Sequence, residues 1–364
     1  MQIHLTDSRD QRGKRHELAF VLTALLMALL RSTTALKVAA LHRAMKRDHQ
    51  QIGDETGFMA PRCVSDAQLR RILQTLDYEA YNQVNALYFG VLVGPQAAGW
   101  QAVDGKELRG TIDGIGGQKR AQNLVHIVDQ QSRQSQIVAF YDGAKDAERT
   151  LVASYFDQQP CLGGSYSFDA LHLTPTLLKT IHKKTGTYLV QVKANQSHLL
   201  AECAHVATHL PALYEHRQVD KGHGRVETRH TRCYRLDVIS LAPRWQPSGM
   251  QTLVVVDRQR TRLKDGRNSQ ERAYFVSNEG AAWPAVAQAV RGHWAVETSN
   301  HVRDVLFGED KLRCQSSVGS RSLASLLTVG LNLLNRHKAV DNLTQLREQL
   351  NHNWQQARAC FAPN

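Results

Sequence analysis

The chain of 364 residues is poor in cysteine, and its cysteines lack the spacings that build small cross-linked or zinc-bound domains. No CxxC pair occurs, and the thiols are scattered along the whole length: Cys63, Cys161, Cys203, Cys233, Cys314 and Cys360. This pattern argues against a zinc knuckle and against a disulfide framework. Free thiols persist in a reducing compartment, so the sequence predicts a cytoplasmic protein.

Two other features are missing, a phosphate-binding loop and a membrane-spanning run. Without a GxxxxGK[ST] motif, no nucleotide cofactor is expected. The apolar run from Leu18 to Leu30 is thirteen residues long, which is too short to span a bilayer. Asp7, Asp10 and Glu17 interrupt the basic region before it, and no small-residue cleavage site follows, so it does not match a secretory signal. We expect a buried helix there.

Acidic residues are outnumbered by basic ones. Lys and Arg number 45 against 33 for Asp and Glu, which gives a formal charge of +12 and a pI near 9.5. Such a field attracts polyanions, and nucleic acid is the obvious candidate. A hydrophobic fraction of 42% is ample for a buried core, and the length allows one large or two to three ordinary domains.

The spacing of apolar residues divides the chain into segments. Helical periods fill residues 1–95, which we interpret as a helical N-terminal domain, and Gly94-Pro95 and Gly99 then break the pattern. Residues 96–210 follow with strands and helices in the order β-β-β-α-β-α-β-α, and residues 211–280 look like a β-rich insertion. A second part of the core (281–350) is again helical, and 351–364 form a tail. The order predicts a mixed α/β sheet of the ribonuclease H-like class with flanking helices.

Three acidic residues stand out within this arrangement. Asp104 is predicted to end the strand formed by the apolar run Trp100 to Val103, and Asp169 to end the short strand Tyr166 to Phe168. In the predicted fold these first and fourth strands are neighbours, and Glu297 lies on a later helix. Oxygen-only ligands suit hard divalent cations that activate water against a phosphodiester. The trio therefore indicates a metal-dependent nuclease or DNA strand-transfer enzyme, whereas each aspartate taken singly is better explained as a turn or cap residue.

The helix that carries Glu297 has a polar face. This face comprises His293, Glu297, Asn300, His301 and Asp304. It fits either a functional surface or a solvated helix face. Zinc coordination by the two histidines with Glu297 is disfavoured because the HExxH order is absent.

Several ordered motifs resemble the H-repeat-associated family of bacterial insertion-sequence transposases, in the DDE class. The resemblance covers most of the chain and rests on Val103-Asp104-Gly105-Lys106-Glu107-Leu108-Arg109-Gly110, Phe168-Asp169-Ala170-Leu171-His172, Val192-Lys193-Ala194-Asn195-Gln196, His223-Gly224-Arg225-Val226-Glu227-Thr228-Arg229, His293-Trp294-Ala295-Val296-Glu297 and Phe307-Gly308-Glu309-Asp310. It implies a ribonuclease H-like catalytic domain with Asp104, Asp169 and Glu297 as the catalytic, metal-binding DDE triad. The glutamate helix of related transposases often carries an arginine four residues before the glutamate and a lysine seven after it. Here those places hold His293 and Asp304.

The expected chemistry is cleavage and strand transfer of DNA ends. The triad would hold two Mg²⁺ ions, which Mn²⁺ can replace, and water and then a freed 3′ hydroxyl would attack in line. The expected partners are double-stranded DNA with terminal inverted repeats and, on that DNA, further copies of the chain. The expected location is the cytoplasm, at the nucleoid when the protein is bound to DNA.

Further residues are candidate DNA contacts, each with a structural alternative. Lys106 and Arg109 either neutralise phosphate or pair with neighbouring carboxylates. An ammonium and two amides at Lys193, Asn195 and Gln196 either bind phosphates or cap a helix. The remaining candidates are Arg225 and Arg229, which with His223 either approach DNA or form salt bridges with Glu227, and His293.

Three functions remain open from the sequence. The first is an active transposase. The second is a silent, transposase-derived protein that only binds DNA, and the third is a ribonuclease H-like nuclease without strand transfer. Intact carboxylates favour the first over the second, and the extra helical and β-rich segments favour it over the third.

Overall fold

One nine-stranded mixed sheet runs through the protein. The computed structural model describes residues 5–7, 9–10, 14–32, 36–58, 62–97, 99–113, 120–142, 145–222, 224–312, 314, 316–337 and 342–362. In spatial order the strands are β3-β2-β1-β4-β5-β9-β8-β7-β6. Their bounds are β1 Trp100–Asp113, β2 Arg120–Asp129, β3 Ser135–Asp142, β4 Ser165–Phe168, β5 Thr187–Val192, β6 Tyr214–Gly222, β7 Arg225–Arg235, β8 Thr252–Arg262 and β9 Asn268–Ser277.

Helices cover the sheet and form a separate layer beside it. Their bounds are α1 Leu18–Arg31, α2 Val38–Thr56, α3 Asp66–Thr75, α4 Tyr78–Phe89, α5 Lys145–Gln158, α6 Pro175–Lys183, α7 Ser197–His209, α8 Trp283–Gly292, α9 Trp294–Val302, α10 Ser317–Arg336, α11 Leu343–His352 and α12 Trp354–Ala359. A single turn of π-helix, Arg303–Phe307, continues α9. No helix in the described ranges combines the length and apolarity needed to cross a membrane.

Local sequence explains several of these boundaries. The Ser65 side chain accepts a hydrogen bond from the Gln68 backbone N–H and so caps the start of α3. Thr174 caps α6 in the same way, with Pro175 in the first turn, where its missing N–H costs nothing. The predicted buried helix is α1, whose apolar side chains are almost all inaccessible to solvent.

The first five strands have the predicted ribonuclease H-like arrangement. β1 pairs antiparallel with β2, β2 pairs antiparallel with β3, and β1 pairs parallel with β4, which is itself parallel to β5. The fold class predicted from the order of elements is therefore confirmed. α5 and α6 cover one face of these strands, where Phe156, Tyr166, Phe168 and Ile181 are fully buried in one apolar cluster.

The predicted insertion extends the same sheet. β9 pairs antiparallel with β5, and β8, β7 and β6 follow outward from it. β6 was not predicted, because its residues are mostly exposed and charged and lack an alternating apolar pattern. β7 ends at Arg235, and Val238 opens a short 3₁₀ turn.

The helices at the two ends of the chain share one apolar core. Residues from α1, α2 and α3 pack in a single cluster with residues from α10, α11 and α12. The segment 351–364, predicted as a tail, contributes Ala357 and Cys360 to that core through α12. The N-terminal helices and the C-terminal helices are therefore one packing unit, although about 250 residues of sequence separate them.

A buried arginine joins the end of the α9 segment to the turn at Glu309 by an ion pair and to α10 by a hydrogen bond. Arg303 is wholly inaccessible to solvent, and its guanidinium donates to both carboxylate oxygens of Glu309 over 2.8 and 2.6 Å. The same guanidinium donates to Thr328 Oγ1 over 2.7 Å. Such a pair is costly to leave half-made, because the remaining charge stays buried without a partner. The Phe307-Gly308-Glu309-Asp310 motif thus has a structural role.

We expect Glu309→Ala to lower the free energy of unfolding by about 3–5 kcal/mol, since it leaves the Arg303 charge buried and unpaired. Chemical denaturation followed by circular dichroism measures this loss. Glu348→Ala, at an exposed position of α11, is the matched control and should change stability by less than about 0.5 kcal/mol. Equal stability of the two variants would show that the ion pair contributes little.

Candidate active site

The pairing of β1 with β4 brings two aspartates together. Val103 lies opposite Phe168 in the parallel ladder, so Asp104 and Asp169 follow directly paired residues. Adjacent strands lie about 4.8 Å apart, which places the two aspartates side by side on the sheet. Asp169 is also the cap of a short 3₁₀ turn, and its Oδ1 accepts the Leu171 backbone N–H over 2.9 Å. Asp169 therefore caps a turn and also lies at the candidate site.

Asp104 does not end its strand, contrary to the prediction that both aspartates stand at strand ends. β1 continues to Asp113, because β2 goes on pairing with it after β4 has ended at Phe168. Asp104 itself is paired with His126 of β2. Its backbone is thus held in a regular ladder on one side and is open on the other.

The helix α9 presents Glu297 beside these aspartates. Its buried residues Ala295 and Val296 pack on Ala102 of β1 and Val128 of β2. One turn further on, Asn300 Nδ2 donates to Asp104 Oδ2 over 3.2 Å. This contact ties the helix to the strand that carries the first aspartate. Glu297 itself is exposed to solvent.

Burial and neighbouring carboxylates raise the pKa of Asp104 and of Glu297. Burial, followed by the negative charges of Asp169, Glu148 and Glu297, raises the pKa of Asp104 to about 8. Burial also raises the pKa of Glu297, and the positive charges of Lys193 and Arg258 oppose that shift. The repulsion between these carboxylates is reduced when a cation binds or when one of them takes up a proton.

The donor set at this place fits a hard divalent cation in type, because it consists of carboxylate oxygens. As the side chains stand, no three His, Cys, Asp or Glu residues within the described ranges form a group that could hold a metal ion. The residues therefore fit a metal in chemistry and in electrostatics, without a preformed cage.

Sequence analysis missed a fourth carboxylate, Glu148 in the first turn of α5. Its Oε2 accepts the Tyr141 hydroxyl over 2.8 Å, and its Oε1 lies 3.1 Å from Nε2 of the fully buried His172. A side chain at Gly105 would collide with the Glu148 carboxylate and displace it from its present position beside Asp104. In the sequence, Glu148 looks like an ordinary acidic residue at a helix start, and only the packing of α5 on β1 distinguishes it.

Lys106 is not an open phosphate contact. Its side chain is almost fully buried, and its ammonium donates to both carboxylate oxygens of Asp304 over 2.8 and 2.9 Å, with Asp310 at 3.6 Å. Lys106 therefore pairs with neighbouring carboxylates, which was the structural alternative to a phosphate contact. Asp304, where related transposases often have lysine, is the partner of this buried lysine. Arg109 is different, because its side chain is 69% exposed and its ion pairs are long.

The turn after β5 has one open cation and two amides that bridge loops. Lys193 is exposed and acts electrostatically on Glu297. Asn195 Nδ2 donates to the Ala170 carbonyl over 2.9 Å, and Gln196 Nε2 donates to the Leu173 carbonyl over 3.2 Å. These amides fasten the turn to the loop that follows Asp169, and neither caps α7. Their predicted DNA contact is weakened for that reason, whereas Lys193 remains available.

The arginines of β7 surround a buried glutamate. Glu227 is 3% exposed and pairs with Arg229, whose second partner is Asp220 at 3.0 Å. Arg229 therefore forms salt bridges, which was the alternative to a DNA contact. Arg225 is half exposed, and its Nε lies 4.0 Å from Glu227. His223 lies outside the described residues.

His293 does not provide a cation for phosphate. Its Nδ1 lies 2.9 Å from Ser167 Oγ, which also accepts the Gln130 side-chain amide over 2.8 Å. Burial lowers the pKa of His293 to about 4, so the ring is neutral near pH 7. The histidine joins the start of α9 to β4. The phosphate contact predicted at this residue would therefore lack a positive charge on the ring.

A ribonuclease H-like sheet with one acidic residue on its first strand, one directly after its fourth strand and one on a later helix defines a class of nucleic-acid-processing folds. The chain belongs to the DDE transposases, because residues 99–333 match the family described as "Transposase DDE domain". The match spans the whole sheet and most of α10, so it contains every candidate site residue. Membership of the DDE class, as the sequence motifs indicated, is confirmed.

Individual relatives are more distant. The Escherichia coli K12 protein YbfL is 25% identical over 253 residues, covering 65% of this chain and 64% of that protein. "Putative transposase YncI" of Escherichia coli O157:H7 is 26% identical over 250 residues, 64% of this chain and 61% of that protein. A Xanthobacter autotrophicus protein named from the dhlA 3′ region is 27% identical over 219 residues, 58% of this chain and 71% of that protein. The chain thus spans under two thirds of YbfL and of YncI.

The raised pKa of Asp104 predicts a pH-dependent stability. Between about pH 4 and about pH 8 the folded protein keeps a proton on Asp104 that the unfolded chain has lost. Folded protein then binds more protons than unfolded protein, so the free energy of unfolding falls as pH rises through this window. We expect Asp104→Asn to remove this part of the decline. Thermal unfolding in EDTA at several pH values measures it, and parallel curves for wild type and variant would contradict it.

Lys106 and Arg109 form a matched pair for testing DNA contact. Lys106→Met should lower the free energy of unfolding by about 1–3 kcal/mol, since Asp304 loses its buried partner. It should leave the salt dependence of DNA binding unchanged. Arg109→Met should do the reverse, with stability within about 0.5 kcal/mol of wild type and a salt slope reduced by about 1. A reduced slope for Lys106→Met would restore the predicted phosphate contact.

Proposed function

We propose that the protein catalyses cleavage of insertion-sequence DNA ends and their strand transfer to target DNA. The observation that carries the proposal is the register of β1 and β4, which sets Asp104 beside Asp169 under the helix of Glu297. Membership of the DDE transposases supports DNA as the substrate. The narrower assignment to the H-repeat-associated family remains a prediction from the motifs.

Asp104, Asp169 and Glu297 would hold the divalent cations, Mg²⁺ or Mn²⁺. When bound, such ions activate the attacking oxygen and stabilise the leaving 3′ oxygen. The chain's own contribution is to orient the carboxylates. Asn300 donates to Asp104, and the Leu171 backbone N–H donates to Asp169, so one oxygen of each aspartate is fixed by a neighbour. Partners of this kind typically change metal affinity or activity by about 10–100-fold when removed.

Exposed cations next to the carboxylates would hold the DNA backbone. Arg109 lies five residues beyond Asp104 on β1, and Lys193 lies close enough to Glu297 for its charge to oppose the rise in the pKa of that carboxyl. Both positive charges are open to solvent, as phosphate contacts require. Joining two element ends to one target would need two active sites, so we propose that copies of the chain assemble on DNA.

A cleavage assay on the element's own ends tests this function. The substrate is DNA carrying the inverted repeats that flank the coding region, with Mg²⁺ added. Wild type should cut at the repeat ends and join the freed 3′ ends to a plasmid, and Asp104→Asn should reduce both by about 100-fold or more. Asp157→Asn, at a side chain that is 73% exposed on α5, is the matched control and should keep full activity.

Two other results would each replace the proposal. Salt-sensitive DNA binding without cleavage by wild type identifies a silent relative. Metal-dependent cutting of DNA without the repeats, and without joining, identifies a nuclease that lacks strand transfer.

A further inference from the structure

A basic groove opens next to the helix of Glu297. Its volume is about 1630 Å³, and it lies between β6, β7 and β8 on one side and α8 with the start of α9 on the other. Among the described residues its lining contains seven arginines and a single glutamate: Arg133, Arg217, Arg225, Arg229, Arg258, Arg260, Arg291 and Glu227. A concave surface with this excess of one charge concentrates anions.

Part of this charge is neutralised within the protein. Arg229 and Arg260 pair with Glu227, with Arg225 nearby, and Arg291 pairs with Asp220 at 3.0 Å. These pairs shape the groove, and the two carboxylates balance two of the four positive charges.

Three arginines of the groove lack a close carboxylate partner among the described residues, so their guanidinium groups are available to a ligand. Arg133 and Arg217 are exposed and have no carboxylate within ion-pair distance in the described part of the chain. Arg258 is largely buried, and its Nε has no hydrogen-bond partner among the described residues. Its ion pair with Glu271 is long, with Nη1 3.7 Å from the carboxylate oxygen. A buried guanidinium N–H without an acceptor is costly, and a phosphate oxygen in the groove would satisfy it.

Trp294 stands at the end of the groove next to the carboxylates. It is the first residue of α9 and is 61% exposed, which is unusual for so large an apolar side chain. It lines the groove together with Thr298, one helical turn further on, and Glu297 lies between them in sequence. Arg258, in the groove wall, acts electrostatically on Glu297. The groove and the carboxylates are therefore neighbours.

We infer that this groove binds an unpaired stretch of DNA beside the reacting phosphodiester, with Trp294 stacked on a base and Arg217 and Arg258 on phosphates. Aromatic faces next to a positively charged track are the usual means of holding single strands, because every base has a face to stack on. Intact duplex DNA offers phosphates to the arginines but keeps its bases stacked inside, so the indole would stay in water. The identity of the nucleic acid rests on the proposed function.

Binding to two DNAs without divalent cation tests this inference. One is a fluorescein-labelled hairpin duplex with a short oligothymidine tail, and the other is the same hairpin with a blunt end, both in EDTA. Wild type should prefer the tailed hairpin, and Trp294→Ala should weaken binding of the tailed hairpin by about 10-fold. Binding of the blunt hairpin should hardly change. Trp294→Phe should restore most of the preference, because a phenyl ring also stacks.

Controls separate stacking from charge and from general apolar exposure. Tyr88→Ala removes another exposed aromatic, on α4 outside the groove, and should leave both affinities unchanged. Arg217→Gln and Arg258→Gln should each reduce the salt slope of tailed-hairpin binding by about 0.7, the value for one single-strand phosphate.

Three results would overturn the inference. Equal weakening of both hairpins by Trp294→Ala would assign the groove to duplex DNA. Unchanged affinity for both would remove the indole from DNA binding. Loss of self-association in light scattering, with tail binding intact, would assign Trp294 to a contact between copies of the chain. None of these results touches the cleavage assay with Asp104→Asn, so the inference and the proposed function can fail separately.

Discussion

The parallel pairing of β1 with β4 is the constraint on which the rest of the site depends. A shift of one residue would turn either Asp104 or Asp169 to the opposite face of the sheet. The register is held because Val103 and Phe168, immediately before the two aspartates, are completely buried. Apolar packing thus opposes the repulsion between the carboxylates that follow it, and α9 and α5 then add Glu297 and Glu148 to the same place.

Opposite charges are sorted to neighbouring regions of this molecule. The protein as a whole carries +12, yet its candidate site concentrates carboxylates, while arginines line the groove beside it. A phosphate chain would be attracted by the groove and repelled by bare carboxylates. Neutralisation of the carboxylates by divalent cation removes that repulsion. Substrate binding and metal binding are therefore expected to favour each other at this site.

Much of the fold was predictable, because strands β1 to β5 and helices α5 to α7 follow apolar periodicity and ordinary caps. β6 was not, since an exposed edge strand of charged residues has no apolar pattern to read. At the site, the residue types of the three carboxylates were visible in the motifs. The contacts of Glu148 and Asn300 and the Lys106–Asp304 pair were not, because they join residues 43 to 198 positions apart and depend on how helices pack on β1. Charged residues beside the carboxylates looked like DNA ligands, and only tertiary structure distinguishes the open Arg109 from the buried Lys106.

The attachment of β9 to β5 limits how this architecture can be shortened. β5 is flanked by β4 on one side and by β9 on the other, so removal of residues 211–280 would leave its hydrogen-bonding groups unpaired along an apolar edge. That newly bare edge would invite intermolecular strand addition and aggregation. Trimmed versions of the protein, whether arising in decayed genomic copies or made as minimal domains, would therefore need a replacement strand or a covering helix to stay monomeric.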